Sequence, residues 1–173
     1  MKKVQLSISL LIILLIAGCT QDNKEKANVN TKEGVSEENQ QWDISTEFET
    51  PTGDKLIGQK NKIGIIGGVI KAGDIEKWLW HLWGDEKTLK SGNFKVVAVN
   101  KDTAEKEMVL VTDAATANER KVWSYGGLVY SPNGVRGSDS SIPSNLSFSK
   151  AGIWRLDVFI GTKHFGSIVV DVK

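Results

Sequence analysis

The chain has 173 residues, and its 22 Lys and Arg set against 21 Asp and Glu leave a formal net charge of +1. That length suits one ordinary domain, and with the charge so balanced no basic patch points to nucleic acid. One cysteine excludes an intrachain disulfide and any Cys-based metal cluster.

Lys2 and Lys3 precede an unbroken apolar run from Leu10 to Ala17, shorter than the roughly 20 residues a bilayer crossing needs. The run therefore reads as an export signal and not as a permanent span. It closes on Ile16-Ala17-Gly18-Cys19, which resembles the lipobox of bacterial lipoproteins. The resemblance implies cleavage after residue 18 and lipid attachment to the Cys19 thiol, with the membrane as first partner. Each buried CH₂ contributes about 0.8 kcal/mol, and two acyl chains make such an anchor stable. The expected location is the extracytoplasmic face of the cell membrane.

Residues 20 to 41 contain no aromatic residue and no Leu, Ile or Met. Such a segment buries too little apolar area to offset its ordering entropy, so with Cys19 it is expected to be a solvated tether. Its ends would lie about 25 to 30 Å apart. The domain is then residues 42 to 173, with 1 to 18 as signal and 19 to 41 as lipidated tether.

Within the domain, K-I-G-I-I-G-G-V-I (62 to 70) predicts a first strand. Its Gly64 to Gly68 stretch misses the G-x-G-x-x-G spacing and reads as a bulged or closely packed strand. K-W-L-W-H-L-W-G (77 to 84) follows, with three of the chain's six tryptophans. As a strand it places Trp78, Trp80 and Leu82 on one face and Leu79, His81 and Trp83 on the other. As a helical turn, Ile75, Trp78, Leu79 and Leu82 would form the stripe. Gly84 and Asp85 end the run and favour the strand.

F-K-V-V-A-V-N (94 to 100) and E-M-V-L-V (107 to 111) predict a hairpin. Residues 112 to 145 are rich in Gly and Ser, with T-D-A-A-T-A-N-E-R as a loop or helical turn and a short strand at 128 to 130. Trp123, Tyr125 and Tyr130 there suit either a recognition loop or aromatic pins that hold a loop to a core. A further strand is expected at L-S-F-S (146 to 149). A-G-I-W-R-L-D-V-F-I (151 to 160) alternates strictly, and H-F-G-S-I-V-V-D-V-K (164 to 173) alternates again after G-T-K. Trp154, Leu156, Val158 and Ile160 should face the core, as should Gly166, Ile168, Val170 and Val172. Many short strands and no long amphipathic helix predict an all-β antiparallel sandwich.

The stretch from Leu146 to Val172 resembles the end of an immunoglobulin-like domain, with Trp154 where a corner Tyr often stands. The whole chain resembles a group of Ig-like lipoproteins of Gram-positive bacteria, through the lipobox, the polar tether, W-x-W-H-x-W-G and the A-G-I-W-R-L-x-V ending. That group supplies a fold and a location and no activity. The resemblance implies a core role for Trp80 on a third strand, facing Trp154 and Leu156. Leu79, His81 and Trp83 would then lie outward, beside strands that present Arg155, Asp157, Phe159, Phe165 and Ser167. Leu79, His81, Trp83, Arg155, Phe159 and Phe165 are accordingly the candidate ligand face. Packing of the same segment under its own loops is the competing expectation.

Chemistry-bearing motifs are sparse. His81 and His164 are the two imidazoles, and Met108 is the methionine left after processing, so neither a metal site nor a cofactor is expected. Neither G-x-S-x-G nor H-E-x-x-H occurs. Asp85-Glu86 and the Glu105/Glu107 pair read as solvated carboxylates. No catalytic residue is assigned, and an envelope enzyme of unrecognised type remains an alternative. The expected function is a non-catalytic binding or structural module for an envelope protein. A wall glycan stacked on Trp83, Phe159 or the loop aromatics is the other binding alternative.

Overall fold

The computed structural model describes residues 42–173; the expected signal peptide (1 to 18) and the expected lipidated tether (19 to 41, with Cys19) fall outside the described residues. In chain order the strands are β1 (Glu47–Glu49), β2 (Lys55–Gln59), β3 (Ile63–Ile66), β4 (Glu76–Leu82), β5 (Asn93–Asn100), β6 (Lys106–Glu107), β7 (Leu110–Thr112), β8 (Arg120–Val122), β9 (Ser124–Gly127), β10 (Ser140–Leu146), β11 (Gly152–Ile160) and β12 (Lys163–Val172). One short helix, α1 (Glu86–Leu89), follows β4, capped by the Asp85 carboxylate on the Thr88 N–H.

Two antiparallel sheets result. One runs β1-β2-β3-β4-β10-β7-β8, the other β12-β11-β5-β6, with β9 also on β5. Their inner faces share one core, in which Trp80 of β4 meets Phe94 of β5 edge-on at 5.2 Å and Phe148 meets Trp154 at 5.5 Å. Alternation holds where it was clearest. On β4, Trp78, Trp80 and Leu82 are buried, and on β11 so are Trp154, Leu156, Val158 and Ile160.

Several expectations need correction. β4 lies not beside β11 and β12 but in the opposite sheet, between β3 and β10. The predicted hairpin after residue 100 is short: β6 pairs β5 only at Ala98↔Glu107 and Val99↔Lys106. Val109, Leu110 and Val111 are buried in succession, which no single sheet face allows. The chain crosses there, and β7 pairs with β10 and β8.

No strand forms at 128 to 130, where one was expected; the nearby strand is β9, at Ser124–Gly127. Of the strand expected at 146 to 149, Leu146 alone is in a strand, as the last residue of β10, which carries Pro143 in its interior. Pro143 pairs with Leu79 of β4, while β7 pairs β10 only at Asn145 and Leu146. The proline therefore sits where β10 has no second neighbour.

Candidate functional site

The six candidate residues do not form one face. Leu79, His81 and Trp83 line the outer side of the seven-stranded sheet, Arg155 and Phe159 the outer side of the other. Phe165 was expected to point outward and is instead buried at 6% exposure. The β11–β12 register jumps from Val158↔Gly166 to Phe159↔His164, so Phe165 is the extra residue of a bulge and its side chain turns to the end of the core.

On the seven-stranded side, a small second cluster covers the tryptophan segment. Phe48 of β1 packs 5.9 Å from Trp83, and His81 stacks at 6.1 Å from the same indole. Gly64 opposite His81 leaves room that Leu56 and Phe48 occupy. The loop before β10 closes over them: Trp83 Nε1 donates to Gly137 O at 2.7 Å, and Arg136 forks onto Asp54 of the β1–β2 turn. Trp83 stays half-buried and walls a recess of about 250 Å³ with Phe48, Glu49, Lys60 and Asn61.

His81 is fully buried. Its Nδ1 lies 3.0 Å from Ser138 Oγ, whose own proton has Val135 O and Ser140 O as acceptors. Nδ1 therefore carries the imidazole proton, and Nε2 is left bare and unpartnered. Burial lowers its pKa; Asp54 opposes that shift and Arg136 adds to it.

A lowered folded-state pKa means that the unfolded chain takes up the proton first. Stability is then unaffected above the ordinary histidine range, about 6.5, and declines as pH falls through it. Denaturant midpoints at about pH 7.5 and about pH 5.5 should differ in the wild type, and His81→Gln should remove most of the difference. A wild-type midpoint that is flat across that interval would overturn the assignment. Carboxylates such as Asp54, whose pKa Arg136 also lowers, act only at lower pH.

The outer side of the five-stranded sheet is polar and aromatic. Arg155 binds Asp157 through Nε at 2.8 Å and Nη2 at 3.1 Å, and its guanidinium lies 4.8 Å from the Trp42 ring. Ser167 Oγ donates to Asp157 at 2.8 Å, and His164 Nε2 lies 3.0 Å from Ser167 Oγ. His, Ser and Asp do meet, with serine in the middle. Its proton is committed to Asp157, so His164 approaches as a donor, the reverse of a base that activates a serine. Beside this network, Trp123, Phe159, Lys95, Val97, Lys106 and Asp157 enclose a recess of about 320 Å³. Trp123 is 38% exposed.

Sequence reasoning left Trp123 undecided between recognition and pinning, because 112 to 145 offers no periodicity. The pins are its neighbours: Tyr125 Oη donates to Val111 O, and Tyr130 packs on the core. Val96 N–H bonds Trp123 O at 3.0 Å, which seats the indole against β5. Among the described residues, no group of three or more His, Cys, Asp or Glu is placed to hold a metal ion, and no helix is long and apolar enough to cross a membrane.

The model of DUF4871, a domain of unknown function, matches residues 23–170. Three solved chains also match. One is the X-ray structure of a "Putative Lipoprotein from Bacillus anthracis", 16% identical, with a TM-score of 0.60 over 76% of this chain and 86% of that one. At that identity the likeness concerns the fold. Comparison with curated proteins gives no match.

Proposed function

The chain belongs to the DUF4871 family, and from that premise we propose an extracytoplasmic lipoprotein whose Ig-like sandwich binds an envelope protein without catalysis. The anchoring half is supported by the lipobox-like sequence ending in Cys19 and by the similar solved structure, described as a "Putative Lipoprotein". The Ig-like half is supported by strand order. β3-β4-β10-β7 and β12-β11-β5 follow the A-B-E-D and G-F-C orders of a constant-type sandwich. Trp154 Nε1 donates back to Lys150 O at 3.1 Å, the bond that a corner tyrosine makes with its hydroxyl.

The observation that carries the binding reading is the Trp123–Phe159 recess. Two aromatic rings stand among Lys95, Lys106 and Asp157, with Arg155 held flat nearby by Asp157 and Trp42. A partly exposed tryptophan in a polar surround is the kind of residue that carries most binding energy in protein interfaces. Crosslinking in cells should recover one protein with the wild type. Trp123→Ala should weaken that association about 30-fold with the fold retained, and Cys19→Ala should leave the membrane fraction. Equal recovery with Trp123→Ala would overturn the site.

A wall glycan is favoured by a separate observation, the Phe48–Trp83 recess with Glu49, Lys60 and Asn61 at its rim. Saturable binding to purified wall polymer, lost in Trp83→Ala and kept in Trp123→Ala, would move the function there.

A further inference from the structure

A different part of the molecule carries an inference independent of the two recesses above. We propose that the end of the sandwich closed by Phe165 binds a phosphate ester, held by the ammonium groups of Lys62, Lys87 and Lys163. These lysines come from three separate places, the β2–β3 turn, α1 and the start of β12. They converge on one recess of about 330 Å³, floored by Phe165 and Ile160.

Their charge is uncompensated. Among the described residues, every lysine ion pair is made by another lysine: Lys90, Lys121, Lys150 and Lys173. Asp85 is the one carboxylate on the recess wall. Its oxygens are turned to α1, where Oδ1 accepts from Thr88 N–H at 2.8 Å and Oδ2 from Thr88 Oγ1 at 2.9 Å. Three cations against one such carboxylate make the recess locally positive although the totals of the chain are nearly equal.

The donors available also narrow the ligand. Thr88 Oγ1 gives its proton to Asp85, Ser91 Oγ gives its own to Thr88 O, and His164 is engaged with Ser167. What remains is ammonium, a compact point charge that binds phosphate without the fork geometry of arginine. Lys62 is positioned before any ligand arrives, because its Nζ rests 4.0 Å above the Phe165 ring. The apolar floor suits the carbon skeleton of an ester. Glycerophosphate is the simplest such group, free or as a lipid headgroup.

The test is calorimetric titration of the full-length protein in neutral detergent with glycerol 3-phosphate, inorganic phosphate and monomeric dihexanoyl-phosphatidylglycerol. Saturable binding of at least one is expected, weakening with added salt. It should fall about tenfold in Lys62→Gln/Lys163→Gln. All three lysines are exposed, so the fold should be kept and an unchanged circular dichroism melt would show it. Binding of the lipid but not of glycerol 3-phosphate would make the source a headgroup, and the reverse a soluble ester. No saturable binding of any probe, or equal binding by the double variant, would overturn the proposal.

Discussion

Trp80→Ala should cost about 3–5 kcal/mol of folding stability, the range for emptying a buried aromatic site. The indole is fully buried, meets Phe94 edge-on at 5.2 Å and lies in register between Ile65 of β3 and Ile142 of β10. It therefore holds the two sheets together from the middle of a central strand, where the backbone cannot collapse into the vacated space. A second loss adds to the first, because Trp80 Nε1 donates to Ser144 Oγ at 2.8 Å inside the sheet. Trp80→Phe keeps much of the volume and isolates that polar contribution, about 1–3 kcal/mol for a buried group left without its partner. Chemical denaturation followed by circular dichroism reads both. A loss under about 1 kcal/mol for the alanine variant would contradict close packing at this position.

Two adjacent glycines should respond in opposite ways. A Cβ at Gly67 would stand inside the indole ring of Trp78, whereas one at Gly68 meets nothing within 4 Å. Neither glycine has a positive φ, so space and not backbone strain separates them. Gly67→Ala should destabilise by about 1–3 kcal/mol through displacement of a packed ring, and Gly67→Val by more. Gly68→Ala should be near neutral, or slightly stabilising through the unfolded chain. Trp78 has little freedom to yield, since it is 2% exposed with its Nε1 already unpartnered. Similar denaturant midpoints for Gly67→Ala and Gly68→Ala would refute this account of the turn after β3.

These glycines show where a linear reading stops. Gly64 to Gly68 reads as a closely packed strand, and the close neighbours differ by position: Leu56 and Phe48 over Gly64, Trp78 against Gly67. Which ring fills which gap is decided between residues distant in the chain. The same holds for Phe165. Strict alternation from His164 onward predicts it outward, and one inserted residue at a bulge turns it into the core end. The lysines that surround it are unremarkable in sequence, because no periodicity links positions 62, 87 and 163.

The candidate face of residues 79 to 83 and 155 to 165 was half legible. Parity separated Trp80 from His81 and Trp83 correctly, since a strand has a period of two wherever it lies. Parity carries no information on which sheet a strand joins, and the two sets are on opposite sides of the sandwich. Nor does it show that Gly137 and Ser138, more than fifty positions away, close over His81.

From its sequence alone, then, the all-β antiparallel domain and the inward rows of β4, β11 and β12 are determined, and a lipobox at Cys19 is expected from residues outside the described ones. These follow from local rules: alternation, turn residues, and apolar content too low or too short for a core or a span. The partition of strands between sheets, the exposure of Trp123, the burial of His81 and Phe165 and the convergence of three lysines were decided by tertiary structure. Each depends on pairing across long stretches of chain, where the energy lies in contacts that no local pattern encodes.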